Sequence, residues 1–311
     1  MLEAQNLSKY YGNFLAIEDV SFKVEQGEIV GFLGPNGAGK TTTMRILAGF
    51  MPASTGTVKV GEYDILKDSI KARKQIGYLP ETVPLYNDMT VKSYLKFFAT
   101  IRDYPRAKRS ARIKEVMGIC RIDGYANTHI AKLSKGYRQL VGVAQAILHE
   151  PDVLILDEPT LGIDPRQVVQ IRQLIKDLGE EHTVILSSHI LPEVSMICDK
   201  VMIMNKGRIV AVDKTENLSE HLEASQKVEI EVKGPAKTVA ARLRAVDGVF
   251  KVFAEGAGDK RAYQVECKPG QDIRDELAAA IVESGWSLTG LKTHELSLEE
   301  IFLKLTTKEQ D

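Results

Sequence analysis

Ile29-Val30-Gly31-Phe32-Leu33 runs directly into Gly34-Pro35-Asn36-Gly37-Ala38-Gly39-Lys40-Thr41-Thr42, and Met44-Arg45-Ile46-Leu47 follows. The first stretch is a short apolar run of strand length, and the last has the spacing of an amphipathic helix. Between them the residues fit G-x-x-x-x-G-K-[ST] in the required strand–turn–helix context. Glycines let backbone N–H groups turn inward around phosphate oxygens without a Cβ clash, and the helix that follows presents its positive end. Lys40 supplies a point charge for β/γ-phosphates, and the Thr41 hydroxyl is placed to ligate Mg²⁺. The run 34–42 is therefore expected to cradle a nucleoside triphosphate, without saying which kind of protein does so.

Further along, Val153-Leu154-Ile155-Leu156 is a second buried run, and it emerges into Asp157-Glu158-Pro159. Two acids after a strand are often only a solvated strand end. Beside a phosphate loop they acquire roles: Asp157 can hold Mg²⁺, and Glu158, pointing differently, can polarise an attacking water as a general base. Residues 184–186 and 201–204 add two more apolar runs. Continuous runs of this kind suit an α/β fold with a parallel sheet covered on both faces. Helical periodicity over 90–103 and 106–120 places a helical insertion, about 82–150, inside that core.

Leu133-Ser134-Lys135-Gly136-Tyr137-Arg138-Gln139 precedes the second strand by about one helix length. As plain chemistry it is a Ser-capped start of a helix over 137–149, whose free N–H groups favour an anion. It also resembles the signature motif of ABC ATPases, L-S-G-G-Q and its variants, from which Lys135 and Tyr137 depart. The resemblance extends over residues 1–215 in the family's order and implies a P-loop ABC ATPase core that takes ATP and Mg²⁺. It implies that Tyr11 stacks on adenine, that Ser134 and Gly136 meet nucleotide, that Asp164 in Leu161-Gly162-Ile163-Asp164 reaches across a dimer interface, and that His189 after Ser187-Ser188 contacts the γ-phosphate. Catalysis is then expected from Glu158, His189 and Lys40. Glu81 stands where the family usually has glutamine; with Thr41 and Asp157 it completes the expected metal set, although a carboxylate there would also repel the triphosphate.

The same resemblance implies a head-to-tail homodimer in which each ATP lies between one subunit's phosphate loop and the other's signature helix. The helical insertion would grip a cytoplasmic helix of separate membrane-spanning permease subunits. The chain itself would sit at the cytoplasmic face of the inner membrane, as a peripheral protein coupling ATP hydrolysis to transport, with export expected. Nothing in the 311 residues contradicts this: positive and negative charges are nearly balanced and interleaved, and no basic stripe marks a nucleic-acid footprint. No apolar stretch approaches the ~20 residues of a spanning helix. Cys120, Cys198 and Cys267 share no metal-ligand spacing and read as reduced thiols.

The pattern changes near 216–226. Strands over 228–232, 249–253, 263–267 and 286–293 alternate with helices over 237–245 and 272–284, giving a βαββαβ order that predicts a smaller α+β, ferredoxin-like accessory domain over 216–311. His294 and Cys267 stand alone there and form no catalytic cluster. Leu298, Ile301, Phe302 and Leu305 fall at helical spacing, and the closing segment is similar to that of ATPase subunits from bacterial two-component exporters of the multidrug, polysaccharide and gliding-motility types. An alternative is a soluble ABC ATPase acting on ribosomes or nucleic acid; such proteins usually carry two cassettes or long coiled-coil insertions, whereas this chain has a single phosphate loop and no heptad run.

Overall fold

The computed structural model describes residues 1–215, 217, 227–255, 260–268 and 273–294. In chain order the elements of the first part are β1 (Leu2–Tyr11), β2 (Phe14–Val24), β3 (Ile29–Leu33), α1 (Lys40–Leu47), β4 (Thr55–Val60), β5 (Tyr63–Asp64), α2 (Ser69–Lys74) and β6 (Ile76–Leu79). Then come α3 (Val91–Ile101), α4 (Arg109–Ile119), α5 (Lys135–Ile147), β7 (Val153–Leu156), α6 (Pro165–Gly179), β8 (Thr183–Ser188), α7 (Leu191–Ile197), β9 (Lys200–Asn205) and β10 (Arg208–Lys214).

Six strands form one sheet in the order β10-β9-β3-β8-β7-β6. Its pairs are parallel from β9 to β6, with β10 added antiparallel at the edge. Every residue of β3, β7 and β8 is buried, which is why these strands read as unbroken apolar runs. In such sheets ligands gather at the C-terminal strand ends. Here those ends lead into the phosphate loop after β3, Glu81 after β6, Asp157 and Glu158 after β7, and His189 after β8.

A second, antiparallel sheet of order β2-β1-β4-β5 was not foreseen. Its alternation is broken by register shifts in β1, and Asn6 and Asp19 adopt left-handed backbone, so the period-two signal is disrupted. Leu2, Leu7, Ile17, Val20 and Val24 of this sheet share one core with Val30, Phe32, Met44 and Leu47. Phe22 meets Phe32 edge-on at 5.0 Å between ring centroids.

The helical insertion comprises α3, α4 and α5. Thr90 caps α3 by accepting from the Ser93 N–H, and Ser134 caps α5 by accepting from the Tyr137 N–H. The second cap starts α5 at Lys135, two residues earlier than periodicity suggested. Val91, Tyr94, Leu95, Val116, Leu140, Val143, Ala144 and Ile147 are the buried faces of these helices.

The chain divides into two compact units, Met1–Thr215 and Glu216–Asp311. The second contains β11 (Lys227–Lys233), α8 (Ala236–Arg244), β12 (Val249–Glu255), β13 (Lys260–Cys267), α9 (Arg274–Glu283) and β14 (Ser287–His294). The sheet order is β12-β13-β11-β14, with every pair antiparallel. That is the ferredoxin-like arrangement. Its core holds Val228, Ile230, Val232, Val239, Leu243, Tyr263, Val265, Leu277 and Ile281. The segment expected over 218–224 and the terminal helix expected over 298–305 lie outside the described residues. All three cysteines are free and buried.

Candidate active site

The phosphate loop leaves β3 and enters α1 through Gly39, whose φ of 104° is open to glycine alone among ordinary residues. A Cβ there would stand 2.8 Å from Ile17 Cγ2, so a side chain is refused by space as well as by backbone. Lys40 begins α1 with its side chain buried. Its ammonium donates to the carbonyls of Gly34 at 2.7 Å and Pro35 at 3.2 Å, and lies 3.4 Å from Glu158 Oε1.

Asp157 and Glu158 leave β7 in different directions, because Glu158 adopts left-handed backbone at φ 47°. Asp157 Oδ1 accepts from the hydroxyls of Ser187 at 2.7 Å and Thr41 at 3.2 Å, while Oδ2 is buried without a hydrogen-bond partner. Burial pushes the Asp157 carboxyl above its ordinary range, against the pull of those two hydroxyls. Glu158 Oε2 lies 2.9 Å from His189 Nδ1. A carboxylate only accepts, so Nδ1 carries the proton in this contact. The Glu158 N–H donates to Ser187 Oγ at 2.9 Å.

A cavity of about 460 Å³ collects most of the expected residues: Tyr11, Asn36, Gly37, Ala38, Gly39, Lys40, Thr41, Thr42, Glu81, Glu158 and His189. Tyr11 is 43% exposed, and its hydroxyl donates to Met51 Sδ at 3.2 Å, leaving a ring face for a flat partner. Phe14, its cross-strand neighbour in the β1–β2 hairpin, lines the same wall and was missed by sequence reasoning. An exposed aromatic three residues after Tyr11 was the available signal. Ser187 was also missed as a working residue, since only the tertiary structure shows that it touches both acids.

Ser134, Gly136 and Asp164 do not line this cavity. They are brought together elsewhere, where the first turn of α6 packs on the first turn of α5. Gln167 Nε2 lies 3.5 Å from Ser134 Oγ, and any Cβ at Gly136 would run into the Gln167 amide. Asp164 caps α6 by accepting from the Arg166 N–H at 2.9 Å. At the start of α5 the Ser134 cap takes the Tyr137 N–H and leaves those of Lys135 and Gly136 unbonded among the described residues, a favourable place for an anion.

The donor set around Thr41, Asp157 and Glu81 is all oxygen, and the unpartnered Asp157 Oδ2 is suited to a hard divalent cation. Among the described residues no three His, Cys, Asp or Glu side chains converge on a metal position. Magnesium sites of one or two carboxylates completed by phosphate and water oxygens have this character.

A glycine-rich loop after β3 of a parallel sheet, with a buried lysine and with two carboxylates at the end of β7, one strand removed, defines a phosphate-loop nucleoside triphosphatase. Residues 17–161 match the family model described as ABC transporter. Over 98% of both chains, the protein is 31% identical to the linearmycin resistance ATP-binding protein LnrL of Bacillus subtilis (strain 168). It is 32% identical to the bacitracin transport ATP-binding protein BcrA of Bacillus licheniformis, over 98% of this chain and 97% of that one. A solved ATP-binding subunit of an ABC transporter superposes with a TM-score of 0.64 at 31% identity, covering 71% of this chain and 92% of the other. The chain belongs to the ATP-binding proteins of ABC transporters: it is an ATP-hydrolysing subunit of this class, and the ribosome- or nucleic-acid-directed alternative is not favoured.

Proposed function

We propose that the chain drives export as one of two identical ATPase subunits that close head to tail on two ATP molecules beneath separate permease subunits. The observation that carries this reading is the division of the expected residues: Lys40, Thr41, Glu158 and His189 line one cavity, while Ser134, Gly136 and Asp164 lie on another surface. A second copy can supply to each nucleotide the surface that its own chain withholds.

In this reading adenine stacks on Tyr11 and the phosphates occupy the loop 34–41, displacing the Lys40 ammonium from the Gly34 and Pro35 carbonyls. Thr41, Asp157 and, in part, Glu81 would hold Mg²⁺, which would supply positive charge to the phosphates. Glu158 accepts the proton of the attacking water. His189 holds Glu158 in place through Nδ1. The helix starts at Ser134–Gly136 present N–H groups to the partner's terminal phosphate. ATP thereby favours the closed pair, and cleavage removes the preference.

The permease contact is assigned to a groove of about 540 Å³ lined by the apolar Phe50, Ile70, Ile76, Phe98 and Ile101 and by the cationic Arg73, Lys74 and Arg102. Among the described residues these three cations have no ion-pair partner closer than 4 Å. An apolar helix with an acidic end, presented by a membrane subunit, complements both features. No helix among the described residues is long and apolar enough to cross a membrane. The resistance and transport roles named for LnrL and BcrA support export, at the cytoplasmic face of the cell membrane.

Mixing two inactive variants tests the reading. Lys40→Ala and Ser134→Arg are each expected to lose turnover, because each spoils both sites of its own dimer. Mixed, they form hetero-dimers with one intact site, so part of the ATPase rate returns. If mixing restores nothing while both variants still bind each other, the sites are not shared between subunits.

A further inference from the structure

We propose that Ser187 is a positioning residue that sets both carboxylates of the hydrolytic site with a single hydroxyl. The inference rests on the roles given above to Asp157 and Glu158 and adds a third residue through which they are tied.

Ser187 lies on β8, paired with Phe32 of β3, and is fully buried. Its Oγ accepts from the Glu158 N–H at 2.9 Å and lies 2.7 Å from Asp157 Oδ1. A hydroxyl has one proton. Because the Glu158 N–H can only donate, that proton is committed to Asp157, and the chain of bonds has one direction: from Glu158 N–H to Ser187, from Ser187 to Asp157.

Each end of the chain has a consequence for chemistry. At Asp157, the Ser187 and Thr41 hydroxyls both engage Oδ1, so Oδ2 remains the free oxygen, buried and aimed by the fixed rotamer. At Glu158, a non-glycine residue holds φ at 47°, a conformation that persists only where the surroundings enforce it. The hydrogen bond to Ser187 fixes that peptide, and the resulting turn sends the Glu158 side chain away from Asp157 toward His189 and Lys40. Without the hydroxyl, Asp157 would keep only the longer bond from Thr41, and the Glu158 N–H would lose its acceptor.

A core hydroxyl that merely satisfies its neighbours would, on removal, weaken the fold without changing how magnesium is used. Ser187→Ala and Ser187→Cys separate the two cases, the cysteine keeping the volume with a much weaker donor and so serving if the alanine variant fails to fold. Binding of a fluorescent ATP analogue is measured with and without Mg²⁺, alongside ATPase rate as a function of Mg²⁺. Expected for Ser187→Ala is metal-free nucleotide binding within roughly three-fold of the parent, a tightening by Mg²⁺ reduced at least about five-fold, and kcat lowered at least about ten-fold with KM little changed. Ser187→Cys is expected between the two. A Mg²⁺ effect and kcat within about two-fold of the parent in the folded variants overturns the proposal, as does a loss of metal-free binding with the Mg²⁺ effect intact. A parent protein that hydrolyses no ATP would instead overturn the functional reading itself.

Discussion

His189 Nδ1 and Glu158 Oε2 stand 2.9 Å apart, on a carboxylate whose other oxygen is 3.4 Å from the Lys40 ammonium. Glu158 is thus held between a ring N–H and a positive charge, His189 reaching it from beyond the end of the adjacent strand β8 and Lys40 from the first turn of α1. Replacing it with glutamine keeps the shape and removes the proton acceptor. Glu158→Gln is expected to bind ATP within a few-fold of the parent, to lose at least about 100-fold in turnover, and to elute as a dimer when ATP is present. Unchanged turnover would remove Glu158 from the role of base.

Glu81 is exposed and lines the same cavity, and its charge is among the causes that raise the buried Asp157 carboxyl. A carboxylate strengthens a metal site and repels a triphosphate, and the two effects oppose each other. Glu81→Gln is therefore expected to keep at least about a tenth of the ATPase rate. Loss of all activity in steady-state assays would mean that the negative charge itself is required.

Tyr11 offers a ring face rather than a charge. Stacking of a base on an aromatic side chain contributes about 1–3 kcal/mol, so Tyr11→Ala should raise KM for ATP roughly 5- to 150-fold at nearly constant kcat. Tyr11→Phe should change little, since the hydroxyl is turned to Met51. A fall in kcat at constant KM would contradict stacking.

His149 gives the fold a dependence on pH. Its Nε2 lies 3.0 Å from the Ile76 carbonyl, and its Nδ1 is buried without a partner. Burial, aided by the charges of Arg102 and Arg112, pushes the imidazole from 6.5 down to about 4. Between those values the unfolded chain takes up a proton that the native state refuses, so stability falls as the pH is lowered through this window. The loss by pH 5 is of order 2 kcal/mol. Urea midpoints at pH 7 and pH 5 should differ more for the parent than for His149→Gln, whose amide can still donate to Ile76. Equal shifts in both proteins would rule His149 out as the cause.

How much of this was legible depended on whether the signal was local. Buried parallel strands announce themselves as unbroken apolar runs, and Lys40 and Thr41 sit in a spacing with a mechanical reason. The β1–β2 pair escaped because bulges and the left-handed Asn6 and Asp19 interrupt its alternation. Ser187 and Gln167 escaped for another reason: each matters through a partner about thirty residues away, Ser187 to Asp157 and Gln167 to Ser134. No periodicity encodes such a meeting. Phe14 was readable in principle, since a hairpin of the length seen places it across from Tyr11.

The cavity around Lys40 leaves Ser134 and Gly136 outside its walls, and if a second copy supplies them, as proposed, the separation has a kinetic corollary. An enzyme whose catalytic surfaces reside on different molecules is inactive when dilute, and its specific activity climbs with its own concentration until association saturates. Tethering both copies under one membrane complex replaces that bimolecular search with a high effective concentration. On the proposed pairing, idle hydrolysis by stray subunits would be suppressed, and fuel would be consumed where there is cargo to move.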